Sequence, residues 1–274
     1  MIKIPLLLLV LVLSLQSIAG ESRNSSKVIR LATTTSVENS GLLDYLLPKF
    51  MAQHAYEVRP TIVGSGKALR LGRTGAVDVV WVHSPLAEKA FVDQGYGVNR
   101  HPVMRNDFVL AGPTSDPANI DDSADILQAL RMIATQGSPF LSRGDDSGTN
   151  KKELALWTQA GIDPYGSDWY LESGVGMAAS LTMAEEENAY IMIDRATLEV
   201  RRGSGVSIFC EDPVKLSNSY SVIAVNPERN ADVNLKGANI FIQWLVSGDG
   251  QASIAGYAPK GKQLYYPARS AAGN

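Results

Sequence analysis

A single cysteine, Cys210, stands in 274 residues, which excludes an intramolecular disulfide and any metal cluster built on several cysteines. Its apolar neighbours Ile208 and Phe209 place it in a buried run. Histidine is almost as scarce: His54, His83 and His101 are far apart and show neither zinc-like spacing nor helical pairing, so no resident metal is expected. Basic runs are missing too. The net charge of -3, with 25 Lys and Arg against 28 Asp and Glu, argues against nucleic acid as a partner and leaves any anion site to local geometry. Past the first 20 residues no stretch approaches the roughly 20 apolar residues a membrane span needs. Internal repeats and low-complexity linkers are absent as well.

What the chain does have begins with a secretory pattern over residues 1–20: Lys3 as the charged start, an apolar stretch over 4–15, and Ser17-Ile18-Ala19 as small-residue cleavage determinants. A retained signal anchor is the other reading of this segment. No cysteine lies near the cleavage region to carry a lipid. A soluble periplasmic protein is expected.

Beyond the signal, strand-like runs at 28–32, 57–63, 77–83, 140–142, 169–171 and 190–193 alternate with helix-like ones, the pattern of parallel sheets with helical crossovers. Two longer apolar strands at 102–113 and 219–227 break the alternation and read as crossovers between two lobes. The expected architecture is α/β: lobe 1 from 26–111 plus 222–274, and lobe 2 inserted as 112–221, each a mostly parallel sheet flanked by helices. A helical face at 237–246, with Ile240, Phe241, Trp244 and Leu245, should pack back on lobe 1.

In such folds the loops at the carboxyl ends of strands build the binding crevice. Two hydroxyl-rich segments fall there. Ser142-Arg143-Gly144-Asp145-Asp146-Ser147-Gly148-Thr149 follows an apolar run and opens a helix, joining a guanidinium, hydroxyls and the free N–H groups of a helix start. Thr33-Thr34-Thr35-Ser36 ends a strand and reads as a loop of hydroxyl donors, with Ser40 placed to cap the helical run at 41–52. A helix cap alone would explain Asp146 or Ser147, but not the second segment. The side chains of Asp145 and Asp146, so close to Arg143, suit orienting its guanidinium better than acid–base work.

Other motifs carry less. Gly64-Ser65-Gly66-Lys67 lacks the P-loop's upstream glycine, since Thr61 stands there, and Ala68 follows the lysine; Ser65 reads instead as a donor at a strand-to-helix turn. Gly174-Val175-Gly176-Met177-Ala178-Ala179, with Asp194 about 20 residues on, fits a dinucleotide fingerprint and leaves an exported dinucleotide-dependent enzyme as an alternative. The competing use of Gly176 and Met177 is as amides at a helix start facing an anion. No Gly-x-Ser-x-Gly elbow is present, and His83 beside Ser84 reads as structural.

With Ser40-Gly41-Leu42-Leu43-Asp44, Tyr96-Gly97-Val98-Asn99-Arg100, Asn106-Asp107-Phe108, Asp194-Arg195 and Ala224-Val225-Asn226-Pro227, these segments resemble the tungstate-binding periplasmic receptors of ABC importers, a branch of the type II solute-binding proteins. The resemblance spans nearly the whole chain after the signal. It implies a receptor without a catalytic step or cofactor, expected to act as a monomer, which closes on tungstate or molybdate and delivers it to a membrane permease. On matching positions it implies Thr35, Ser36 and Ser65 as anion ligands from lobe 1 and Arg143, Ser147 and Thr149 from lobe 2. Thr34, Gly148, Gly176, Met177 and Arg195 form a second tier. A phosphate or sulfate receptor of the same fold is the alternative, because the Arg143 loop also resembles that of phosphate receptors. A protonated phosphate would call for an inward Asp145 as acceptor.

Overall fold

The computed structural model describes residues 27–123, 125–201 and 205–268, so the signal expected over 1–20 lies outside the described residues. Among the described residues, ten strands form one mixed sheet flanked by helices. In chain order they are β1 (Val28–Thr34), β2 (Glu57–Val63), β3 (Val79–Val82), β4 (Gly97–Pro113), β5 (Phe140–Ser142), β6 (Tyr170–Glu172), β7 (Tyr190–Asp194), β8 (Val206–Cys210), β9 (Ser217–Val225) and β10 (Tyr266–Pro267). The main path runs β2-β1-β3-β9-β4-β7-β5-β6, with β8 and β10 added on β4.

The helices are α1 (Thr35–Asn39), α2 (Leu42–Gln53), α3 (Ser65–Arg73), α4 (Pro85–Asp93), α5 (Ile126–Gln136), α6 (Gly148–Ala160), α7 (Met177–Glu186), α8 (Arg195–Arg201), α9 (Leu235–Val246) and α10 (Gly248–Ala255). Strand β4 explains how one sheet serves two cores. Its residues from Gly97 to Asp107 pair antiparallel with β9, and from Phe108 onward it pairs with β7 and β8. On the first half β1 runs parallel to both β2 and β3; on the second β5 runs parallel to β6 and β7.

Each half is covered on both faces, which is why its strands read as apolar runs rather than alternations. Val79 and Trp81 face a core with Phe50, Phe241 and Leu245, while Val80 and Val82 face another with Leu69, Phe91 and Val233. In the second half Phe140, Tyr190 and Met192 pack on Leu130, Leu156 and Trp157, and Leu141, Ile191 and Ile193 on Met177, Leu181 and Leu198. The expected C-terminal helix is α9, whose Phe241, Trp244 and Leu245 are buried, whereas Ile240 stays half-buried at the rim. Cys210 is buried at the end of β8.

Two local expectations are corrected. The hydroxyl run is no loop: Thr33 and Thr34 end β1, and Thr35 and Ser36 begin α1. Ser40 does not cap α2 either, since Gly41 occupies that position with φ 79°, and a Cβ there would lie 2.8 Å from the Tyr257 hydroxyl. Ser40 Oγ donates to Val37 O at 2.8 Å, accepts from the Tyr265 hydroxyl at 3.0 Å and reaches only the first amide of α2, Leu42 N, at 3.4 Å.

Candidate functional site

The parallel strands deliver their carboxyl ends to one crevice. Thr34, Thr35 and Ser36 arrive from β1, Ser65 after β2, His83 after β3, Arg143 after β5, Gly176 and Met177 after β6, and Asp194 at the end of β7. Ser147, Gly148 and Thr149 open α6 in the same place. The two halves meet there: a Cβ on Gly64 would stand 3.4 Å from Ser147, one on Gly176 3.6 Å from Thr35, and one on Gly148 only 2.5 Å from His83 O. Only glycine allows that last approach.

Donors outnumber acceptors at this crevice. Helices α1, α3 and α7 start at Thr34, Gly64 and Gly176 with no side-chain cap, so their first N–H groups have no internal partner. Thr34 Oγ1 and Thr149 Oγ1 are buried with no hydrogen-bond partner among the described residues, one from each half of the sheet. Ser65 Oγ accepts from His83 N at 3.3 Å, and Ser147 Oγ accepts from Asn150 N at 3.2 Å, leaving both hydroxyl protons to donate.

Arg143 is the buried charge, 2% exposed. Its Nε donates to Val175 O at 2.7 Å and its Nη2 pairs with the Asp145 carboxylate, fixing the plane of the guanidinium. Asp145 also accepts from Ser147 N at 3.1 Å, so it serves its own loop, in the orienting role its sequence position suggests. Asp146 turns outward at φ 59° and pairs with Arg70 and Lys151, each at 2.8 Å. The Arg70 contact joins the two halves.

Asp194, fully buried, accepts from Thr197 N at 2.9 Å and Thr197 Oγ1 at 2.8 Å. Burial pushes its carboxyl up, and these bonds and Arg143 oppose the rise. The same bonds leave Asp194 capping α8, not waiting for a ribose as the dinucleotide alternative requires. His83 is structural: Nδ1 donates to Asn218 Oδ1 at 2.9 Å, the ring stacks on Tyr220 at 4.7 Å, and burial, with Arg143 nearby, lowers its pKa to about 4.

Arg195 is not brought to the cluster. Its Nε and Nη2 grip Asp107 at 2.6 to 3.0 Å and Nη2 also meets Glu211 at 2.6 Å, because α8 turns its first side chain toward β4. Met177 is buried in the core, so only its amide can face the crevice. Sequence reasoning missed Glu153, a buried carboxylate under the Arg143 loop. Its position on the apolar face of α6, between Asn150 and Trp157, was the available signal.

Three comparisons bear on this geometry. The family model described as PBP superfamily domain matches residues 20–249. A tungstate-binding protein, TupA, of Peptoclostridium acidaminophilum is 46% identical over 248 residues, covering 89% of this chain and 85% of that protein. Among solved structures, the tungstate ABC transporter protein from Geobacter sulfurreducens is 43% identical with a TM-score of 0.77, covering 84% of this chain and 98% of that one. The tungstate-binding protein TupA from Desulfovibrio alaskensis is 40% identical with a TM-score of 0.73, covering 89% and 100%.

Proposed function

As the chain belongs to the PBP superfamily, we propose that it is an extracytoplasmic receptor that encloses tungstate, or the near-isosteric molybdate, between its two lobes and hands it to the permease of an ABC importer. The observation that carries this reading is the pair of buried, partnerless hydroxyls, Thr34 Oγ1 and Thr149 Oγ1, on opposite sides of Arg143's crevice. A buried donor without an acceptor costs roughly 1–3 kcal/mol. A proton-free dianion would supply the acceptors. The ligand set is then Thr34, Thr35, Ser65, Ser147 and Thr149 through hydroxyls, Ser36, Gly148, Gly176 and Met177 through backbone N–H groups, and Arg143 through charge.

Tungstate at neutral pH offers only acceptors, and the crevice answers with donors. Its two carboxylates are already engaged, Asp145 by Arg143 and Ser147, Asp194 by Thr197. A protonated phosphate would have to give its proton to a neutral hydroxyl oxygen or to a carboxylate that already holds two donors, which disfavours the phosphate alternative. Burial between the lobes lowers the local dielectric and strengthens each charge-assisted bond. No covalent bond is made or broken, and no cofactor enters.

Competition calorimetry with tungstate, molybdate, sulfate and phosphate tests the reading. Tungstate and molybdate should bind and phosphate should not compete. Arg143→Ala should lose at least about a hundredfold in affinity, the order expected when a buried charged partner is removed. Tungstate binding unchanged in both Arg143→Ala and Thr149→Val would overturn the site assignment.

A further inference from the structure

Beneath the Arg143 loop lies a carboxylate that the anion site itself does not use. Glu153, on the inner face of α6 and 2% exposed, accepts from Ser142 Oγ at 2.5 Å on Oε2, and from the Tyr170 hydroxyl at 2.7 Å and Trp157 Nε1 at 3.0 Å on Oε1. Ser142 Oγ in turn accepts from Gly144 N at 3.3 Å and Asn150 Nδ2 at 3.2 Å, while Asn150 Oδ1 accepts from Asp146 N at 3.2 Å. The chain of bonds thus begins at Glu153 and ends on the backbone on both sides of Asp145. Those are the residues that hold Arg143 in place.

A hydroxyl oxygen has two lone pairs and one proton. Gly144 and Asn150 occupy both lone pairs of Ser142, so its proton has only Glu153 to go to. A proton on Oε2 would compete with Gly144 or Asn150 for Ser142 Oγ. One on Oε1 would face the Trp157 indole N–H, which can only donate, or force the Tyr170 hydroxyl to turn away. Every neighbour of the carboxylate is a donor.

We propose that ionised Glu153 is the positioning residue for the Arg143–Thr149 loop, so that oxyanion affinity falls when Glu153 takes up a proton. The inference rests on the receptor reading given above. Burial raises the Glu153 carboxyl to about 7 against the bonds from Ser142, Tyr170, Trp157 and Asn150, which hold it down. The groups facing it are Tyr170 on β6 and, through space, Tyr165 before that strand, with neutral Ser142 from β5. Helix α5 and strand β7 complete the surrounding core with Leu130, Ile133, Met192 and Tyr190, whose hydroxyl is turned to Asp116 at 2.6 Å. The carboxylate therefore titrates where a receptor outside the cytoplasm meets changing pH.

The test measures tungstate affinity of the receptor between pH 6 and 8.5, beside Glu153→Gln and Ser142→Ala, and follows the ligand-free protein by NMR. Wild-type affinity should fall about tenfold from pH 8.5 to 6, the one-proton dependence of a group titrating near 7. Glu153→Gln, whose amide presents a donor to Ser142, should bind about tenfold more weakly at pH 8.5 and show a flat profile. Ser142→Ala should flatten it too. In the free protein the Trp157 indole N–H and the Gly144 and Asp146 amides should titrate with one midpoint near 7, and lose that midpoint in Glu153→Gln. A flat wild-type profile, an unaltered slope in Glu153→Gln, or amides that do not move with Trp157 would overturn the proposal. If wild type itself binds no tungstate at any pH, the receptor reading fails, and the NMR titration still decides whether Glu153 governs the loop.

Discussion

At Thr149 stability and binding pull in opposite directions. Its Oγ1 is buried without a partner, so the folded chain carries the desolvation of that hydroxyl and, on the proposed reading, recovers it when the anion accepts the bond. Thr149→Val, which keeps the shape and removes the hydroxyl, should leave the ligand-free protein as stable or more so, read as the urea midpoint. The same variant should weaken tungstate binding by about ten to a hundredfold, the worth of a hydrogen bond to a charged group. A loss of stability without loss of affinity would show that Thr149 serves the core. Two buried titratable groups beside the Arg143 loop also oppose each other. His83 titrates at about 4 in the folded chain against 6.5 ordinarily, so the unfolded chain takes up its proton first and stability is lost as pH falls from 6.5 toward 4. Glu153 titrates at about 7 against 4.5, so its burial costs stability as pH rises from 4.5 to 7 and no more above that. Urea midpoints should therefore show Glu153→Gln gaining on wild type as pH rises through that window, and His83→Gln gaining as pH falls from 6.5 to 4. Each difference should be on the order of 2–3 kcal/mol at its limit.

The start of α3 and the loop before α6 are built to touch. A Cβ on Gly66 would lie 2.0 Å from Asp146 Oδ2, and Asp146 holds a left-handed backbone at φ 59° that turns its carboxylate toward Arg70. Gly66→Ala should thus keep the thermal midpoint within a few degrees, since each half retains its own core, while lowering tungstate affinity at least about tenfold by holding α3 off the loop. Calorimetry beside a thermal melt separates the two effects. Elements of this kind were legible in the sequence where the signal is local. The apolar run at 140–142 is β5 as it stands, the two long strands are β4 and β9 shifted by a few residues, and Asp145 orients Arg143 because the two are neighbours on one turn. What depended on distant partners was not legible. Arg195 belongs to Asp107, 88 positions away, and Asp194 spends its carboxylate on Thr197 rather than on a ligand. The hydroxyl run reads as a loop because four Thr and Ser residues favour no helix, yet α1 begins inside it at Thr35, directly after β1 ends at Thr34.

Strand β4 continues from one half of the sheet to the other, changing partners between Asp107 and Phe108, and that junction is the natural place for the halves to move. Beside it, Asn218 on β9 donates to Asn106 on β4 at 2.8 Å and accepts from His83, linking the crossover strands to the floor of the crevice. Across the crevice the ion pair of Arg70 and Asp146 joins side chains that are 61% and 47% exposed. Water competes for such a pair, and its worth is on the order of 0–1 kcal/mol. It cannot by itself hold the lobes together. On the proposed reading the anion completes the buried guanidinium of Arg143 and the partnerless hydroxyls of Thr34 and Thr149, and it is the anion that supplies the differential free energy favouring closure. Small-angle scattering should accordingly show the radius of gyration contracting when tungstate is added to wild type and to Arg70→Ala, with affinities within about fivefold of each other. Arg143→Ala should not contract at the same tungstate concentration, although it keeps the Arg70 contact. Contraction in Arg143→Ala but not in Arg70→Ala would transfer the work of closure from the anion to the surface pair.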